Sequence, residues 1–241
     1  TYAYAQHFNH IYRKLLQKIG EKYVIDNGLN IVSIGVGNFV DYWSLESALY
    51  KEKWGGDSIE KIHYYAYDIN EWPVSLKEKI VEERSTTNPF RIPIDNIHQF
   101  IGKKEGDFFG IKVNPVKDVN LVVIMFPSSF NELMKQHKDE VKKVLEILVP
   151  TYIITTGHIS ERQDKDIENI IKDCCNNIEL IDQLNVSDIL ESVMPKWVGD
   201  NNITDPKKYG KLRGLEEINT GRYNPTKDLS KVSHAIYKIF F

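Results

Sequence analysis

The sequence predicts an α/β fold in which helices cover both faces of a mostly parallel sheet. Apolar strand-like runs alternate with amphipathic helical runs from residue 1 to about residue 190. The run Asn120 to Phe126 is apolar and β-branched almost throughout, as suits a parallel strand buried on both faces. An earlier run, Asn30 to Ile34, breaks into Gly35-Val36-Gly37 just before a helical segment, which is the order of a parallel strand–turn–helix unit.

The first 27 residues read as helix. Tyr4, Phe8, Ile11, Tyr12, Leu15, Leu16 and Ile19 recur at three and four, and Asn27-Gly28 ends the pattern. Asn30 to Ile34 is the first strand. Beyond the glycine turn, Tyr42, Leu45, Ala48 and Leu49 line a helix that ends near Gly55-Gly56. Lys61 to Tyr67 is the second strand. Pro73 suits a first helical turn, and Leu76, Ile80 and Val81 carry a helix that stops before Ser85-Thr86-Thr87-Asn88-Pro89. A short third strand falls within Ile92 to Ile101. Lys103 to Pro115, rich in Gly, Lys and Asp, reads as a loop or small hairpin.

Asn120 to Phe126 is the fourth strand, and Ser128 or Ser129 caps a helix that runs through Leu133, Val141, Val144, Leu145 and Leu148 to Pro150. Thr151 to Thr156 is the fifth strand. Ile167, Ile170 and Ile171 place a helix over Asp164 to Asn176, Glu179 to Asp182 is a sixth strand, and Ser187 to Met194 is a further helix. Residues 195–231, with Pro195, Gly199, Pro206, Gly210, Gly214, Gly221 and Pro225, form an irregular insertion of the length that binding segments and lids have. Val232 to Phe241 closes the chain as a strand expected at or near the sheet edge. Residues 1–27 thus form an N-terminal helical cap and 28–241 the main domain.

At 241 residues, 41% hydrophobic, the chain has the apolar surface to offset ordering entropy. A net charge of −3 gives no basic footprint for nucleic acid, although Lys207-Lys208-Tyr209-Gly210-Lys211-Leu212-Arg213 mixes cations and aromatics. The longest apolar runs are far short of a membrane span, and no signal segment opens the chain, so a cytoplasmic address is expected. Because the first residue is Thr1, a short N-terminal piece is expected before it. Cys174 and Cys175 are adjacent, which strains a disulfide, and no histidine cluster turns them into a metal site.

The glycine turn lets backbone approach a ligand closely, and Asp68, after the second strand, is placed to hold a ribose diol. A dinucleotide fingerprint needs a third glycine where Val40 stands, and the phosphate-cradling Gly-x-x-x-x-Gly-Lys-Ser/Thr pattern is absent. These residues leave an adenosine-containing small molecule or a plain tight turn.

In their order, Ser33-Ile34-Gly35-Val36-Gly37, Tyr67-Asp68-Ile69 and Val122-Val123-Ile124-Met125-Phe126-Pro127 resemble the first, second and fourth motifs of the class I S-adenosylmethionine-dependent methyltransferases. The resemblance covers about residues 28–160, and the terminal strand looks like that family's antiparallel seventh. It implies a Rossmann-like, doubly wound, mostly parallel seven-stranded sheet with an antiparallel C-terminal strand. It also implies S-adenosyl-L-methionine as cofactor, with S-adenosyl-L-homocysteine as product, held by Ser33, Gly35, Val36, Gly37, Asp41, Asp68, Ile69 and Phe126. Two positions depart from the family pattern. Ser33 stands where the family has an acid, and Phe39 where a third glycine is often found; Asp41 is the candidate to supply the missing charge near the cofactor's amino group. Its alternative role is a first-turn acid favoured by the helix dipole.

The resemblance places acceptor-facing residues after strand four, in Phe126-Pro127-Ser128-Ser129-Phe130-Asn131-Glu132. This is not the Asp/Asn-Pro-Pro-Tyr/Phe pattern of many methyltransferases that act on base amines, so a small-molecule acceptor is favoured over nucleic acid. Ser128 and Glu132 are candidate catalytic groups with helix capping as their alternative role. His158, in Thr155-Thr156-Gly157-His158, is the candidate base, since its ordinary pKa lies near neutrality. Methyl transfer to oxygen or nitrogen is the leading expectation. Aminocarboxypropyl transfer, as in nicotianamine-synthase-like enzymes, nucleic-acid methylation and a non-catalytic binding domain stay open beside it.

Overall fold

The computed structural model describes residues 2–37, 39–68, 76, 78, 80, 90–101, 121–127, 129, 133, 135–158, 164–185 and 232–240. The predicted loop at 103–115, the helix at 187–194 and the insertion at 195–231 lie outside them.

The predicted first helix is two helices, α1 (Tyr2–Ile19) and α2 (Glu21–Asn27). Gly20 separates them at φ 84°, a conformation a β-carbon disfavours. Then come β1 (Leu29–Ile34), α3 (Val40–Glu52), α4 (Asp57–Glu60), β2 (Ile62–Asp68), a 3₁₀ turn (Ile94–Asn96) that leads into β3 (Ile97–Ile101), and β4 (Val122–Phe126). The chain continues as α5 (Lys138–Leu148), β5 (Tyr152–His158), α6 (Asp164–Cys174), β6 (Asn177–Asn185) and β7 (Val232–Phe240). Leu76 and Ile80 are helical and buried, as their spacing predicts. Helical hydrogen bonds start at the Ser129 carbonyl and run through His137, whose φ of −136° interrupts the helix just before α5.

The seven strands form one sheet in the order β3-β2-β1-β4-β5-β7-β6. All neighbours are parallel except the two pairs made by β7. The last strand lies near the edge, as expected: β7 is inserted between β5 and β6, and β6 is the edge. The predicted sixth strand was too short, because Asn177, Gln183 and Asn185 give little apolar signal; pairing with β7 extends β6 through them.

Period-two alternation gives the sheet two cores. On one face Ile31, Tyr64, Ala66, Val123, Met125, Ile154 and Ile236 pack under α1 and α3. On the other, Val32, Tyr65, Tyr67, Ile124, Ile153 and Tyr237 pack under α5 and α6. Phe8, Ile11, Tyr12, Leu15 and Leu16 of α1 are all buried, so this helix belongs to the main core. The α1–α3 seam is closed at its rim by Arg13 Nε donating to Glu52 at 2.6 Å and Lys51 Nζ donating to Asn9 at 3.1 Å. Among the described residues, no helix is long and apolar enough to cross a membrane. Cys175 is a free thiol that donates to the Ile171 carbonyl.

Candidate functional site

Parallel strands bring the carboxyl ends of β1, β2, β4 and β5 to one edge of the sheet, and the predicted residues gather there. The turn after β1 is held to β2. The N–H groups of Gly35 and Val36 donate to the Tyr67 carbonyl at 2.8 and 3.2 Å, and the Gly37 N–H donates to Asp68 Oδ2 at 2.7 Å. Gly35 has φ 78°, and a β-carbon there would come within 2.5 Å of Ser129 Cβ. Its glycine is therefore required by the approach of the post-β4 loop as well as by the turn. The Ser129 hydroxyl donates to the Ile34 carbonyl, which ties that loop to β1.

Phe39 keeps a left-handed backbone, φ 64°, with its ring fully buried. The turn thus retains the geometry that a third glycine would adopt without strain; burial of the ring offsets a backbone cost of about 1 kcal/mol or more.

Asp41, in the first turn of α3, turns inward. Its Oδ2 accepts from the Ser33 hydroxyl at 2.6 Å and from the Tyr64 hydroxyl at 2.7 Å. A carboxylate therefore sits beside the strand position that carries Ser33, delivered from the helix rather than from β1. Asp41 is 1% exposed, and its Oδ1 is buried with no partner. Burial pushes its pKa up, against the pull of the two hydroxyl donors and of the backbone N–H groups of Tyr42 and Asp41. The Tyr12 hydroxyl faces this carboxylate, and burial, followed by the field of Asp41 and hydrogen bonding to it, raises its pKa well above the ordinary value.

Asp68 is 4% exposed at the end of β2, and Phe126 is fully buried at the end of β4. The Thr156 hydroxyl of β5 donates to the Phe126 carbonyl at 3.4 Å. Val36 is buried in the turn. His158 ends β5, opposite Val232 of β7; its side chain, like Ile69, Ser128 and Glu132, lies outside the described part of the structure. The structure thus gathers Ser33, Gly35, Val36, Gly37, Asp41 and Asp68 around one turn, with Phe126 on the neighbouring strand.

Sequence reasoning missed a second polar group at this edge. His7 Nε2 lies 2.9 Å from His234 Nδ1, and His234 Nε2 lies 3.0 Å from Asp182 Oδ2. His10 faces the same ring at 6.1 Å between centroids. His7 and His10 share a helix face by their spacing, but 227 positions separate His7 from His234, and nothing local announces that pairing. Among the described residues, no group of His, Cys, Asp and Glu has the geometry to hold a metal ion.

No protein-family model matches the chain, and no curated protein does. A cyclopropane-fatty-acyl-phospholipid synthase-like protein from Lactobacillus casei ATCC 334 is similar in structure over 98% of this chain and 92% of its own, at 10% identity and a TM-score of 0.48. A loganic acid methyltransferase with SAH is similar over 97% and 95%, at 11% identity and a TM-score of 0.35. The sheet itself, seven strands with one reversed C-terminal strand, has the Rossmann-like architecture that the sequence resemblance implies.

Proposed function

We propose that this chain is an S-adenosylmethionine-dependent methyltransferase that acts on a small-molecule acceptor at oxygen or nitrogen. The observation that carries the reading is the pairing of the glycine turn with Asp68, the Gly37 N–H on its Oδ2 at 2.7 Å, beside a second buried acid, Asp41.

The charge pattern discriminates among adenosine ligands. In the described part of the turn, the N–H groups of Gly35, Val36, Gly37 and Phe39 all have protein acceptors, so none is offered to a phosphate. Two carboxylates border the same turn. A pyrophosphate would meet repulsion there, whereas a nucleoside that carries a sulfonium and an ammonium would meet attraction. Asp41 Oδ1, which faces the Tyr12 hydroxyl and has no partner at full hydrogen-bond geometry, has capacity to accept from an ammonium.

In this reading Asp68 holds the ribose hydroxyls, Asp41 receives the amino group, and Gly35, Val36 and Gly37 bring the backbone close. Ser33 orients Asp41. Ile69 and Phe126 wall the adenosine and the methyl-donor end. The bound cofactor supplies an activated methyl group, and the chain positions an acceptor in line with it and removes the acceptor's proton where one must leave. His158, Ser128 and Glu132 are the acceptor-side candidates from the sequence. The net charge of −3 favours a small acceptor over nucleic acid.

Incubation of the chain with S-adenosylmethionine and a small-molecule extract tests the reaction. S-adenosylhomocysteine as product supports methyl transfer; methylthioadenosine would assign aminocarboxypropyl transfer instead.

A further inference from the structure

The line Asp182–His234–His7, with both histidines buried and Asp182 half-buried, joins three elements, β6, β7 and α1, at the carboxyl edge of the sheet. His234 pairs in register with Thr156, whose hydroxyl reaches the last carbonyl of β4. The line is therefore one strand removed from the end of β4, where the proposed reaction takes place. His234 is fully buried and His7 is 1% exposed.

Hydrogen-bond direction along the line follows from its acid end. The His234 hydrogen bond holds Asp182 below the usual carboxylate range, so Asp182 is an acceptor and His234 Nε2 carries the hydrogen. In neutral His234, Nδ1 is then a bare lone pair. The 2.9 Å contact needs one hydrogen, which His7 Nε2 provides when His234 is neutral. His7 Nδ1 is left as a bare lone pair in turn, and it is buried with no partner. Burial, His234 and His10 each disfavour the charged form of His7, which keeps this nitrogen unprotonated near neutrality. The other groups that face the line are His10, whose Nε2 is also buried without a partner, and Arg13 and Lys14, which act on His10.

We propose that Asp182 and His234 act as positioning residues that fix His7 Nδ1 as the proton-accepting atom for a hydroxyl- or amine-bearing acceptor. As the acceptor atom bonds to the methyl carbon, the C–S bonding pair stays with sulfur and the acceptor's proton moves to Nδ1. The positive charge then formed on His7 is shared along the line toward Asp182, and the proton leaves to water after turnover. The proposal rests on the methyltransferase reading, but the polarity of the line does not.

The test is carried out on the cofactor-free full chain, so it is independent of cofactor binding. Two-bond ¹H–¹⁵N spectra of ¹⁵N-histidine-labelled protein at pH 7.5, assigned with H7Q, report which ring nitrogens carry hydrogen. The expected result is His7 neutral, with hydrogen on Nε2 and none on Nδ1. In D182A, His234 loses its anchor, and the His7 signals should move toward the average of two tautomers; D182N is the second variant if D182A fails to fold. Hydrogen on His7 Nδ1 in the native chain, or a His7 spectrum that neither Asp182 variant changes, would overturn the proposal. A merely structural bridge would be served equally well by the reverse polarity.

Discussion

At the scale of single residues, the site trades stability for charge placement. Asp41 is a buried acid whose pKa is raised, because burial outweighs its hydroxyl and backbone donors. Desolvation of that carboxylate disfavours the folded chain at neutral pH. D41N keeps an oxygen for Ser33 and Tyr64 and removes the charge. We expect a modest gain in thermal stability of the free chain, read by calorimetric melting, together with about tenfold or greater loss of S-adenosylmethionine affinity. Unchanged affinity would remove Asp41 from the site. D68N should weaken binding by about 10- to 100-fold, the value of hydrogen bonds to a charged acceptor. G35A meets both a positive φ and Ser129 Cβ at 2.5 Å, so it should lower the melting temperature sharply, and S129G should recover only the part due to the clash. The positions of the glycines and Asp68 were legible because chain order alone places them at the ends of adjacent strands. Asp41 was legible as an acid in the first turn of a helix, but its contacts with Ser33 and Tyr64 depend on packing across α3, β1 and β2. Phe39 conceals a glycine-like backbone that its side chain gives no hint of.

At the scale of elements, helices and strands were legible wherever one face is continuously apolar. β4 and the α1 pattern are such cases. α1 is held by burial: Tyr12 and Leu16 are fully buried in the core shared with α3 and the sheet. L16A should therefore cost about 2–5 kcal/mol in denaturant unfolding, the range for large-to-small changes in a core. A loss below about 1 kcal/mol would show that α1 is a dispensable cap. The place of β7 was not legible in its residues, since an edge strand and an inserted antiparallel strand share the same β-branched, aromatic composition. Its neighbours decide: β5 on one side and β6 on the other. β6 has no sheet partner but β7 among the described strands, so removal of residues 232–241 should release β6 and abolish cooperative unfolding. Retention of a single sharp transition in the truncated chain would contradict the strand order.

At the scale of the whole molecule, the sheet joins two electrostatic devices at one edge, the paired acids at the β1 turn and the histidine line across β6, β7 and α1. Their titration links function to stability. The pKa values of His7 and His10 are lowered in the fold, first by burial, so below about pH 6.5 the unfolded chain binds more protons than the folded one. Their contribution to stability is therefore present above that pH and lost as pH falls through it. Asp182, lowered chiefly by its hydrogen bond from His234, adds a loss of the same sign at lower pH. Thermal melts from pH 7.5 to 5 should show a decline that H7Q reduces; an H7Q profile parallel to the native one would contradict this assignment. The most direct test of the central claim is titration calorimetry of the chain with S-adenosylmethionine, alongside D68N. The account predicts a one-site isotherm with Kd below about 1 mM, weakened by the substitution. An absence of binding at millimolar cofactor would contradict it.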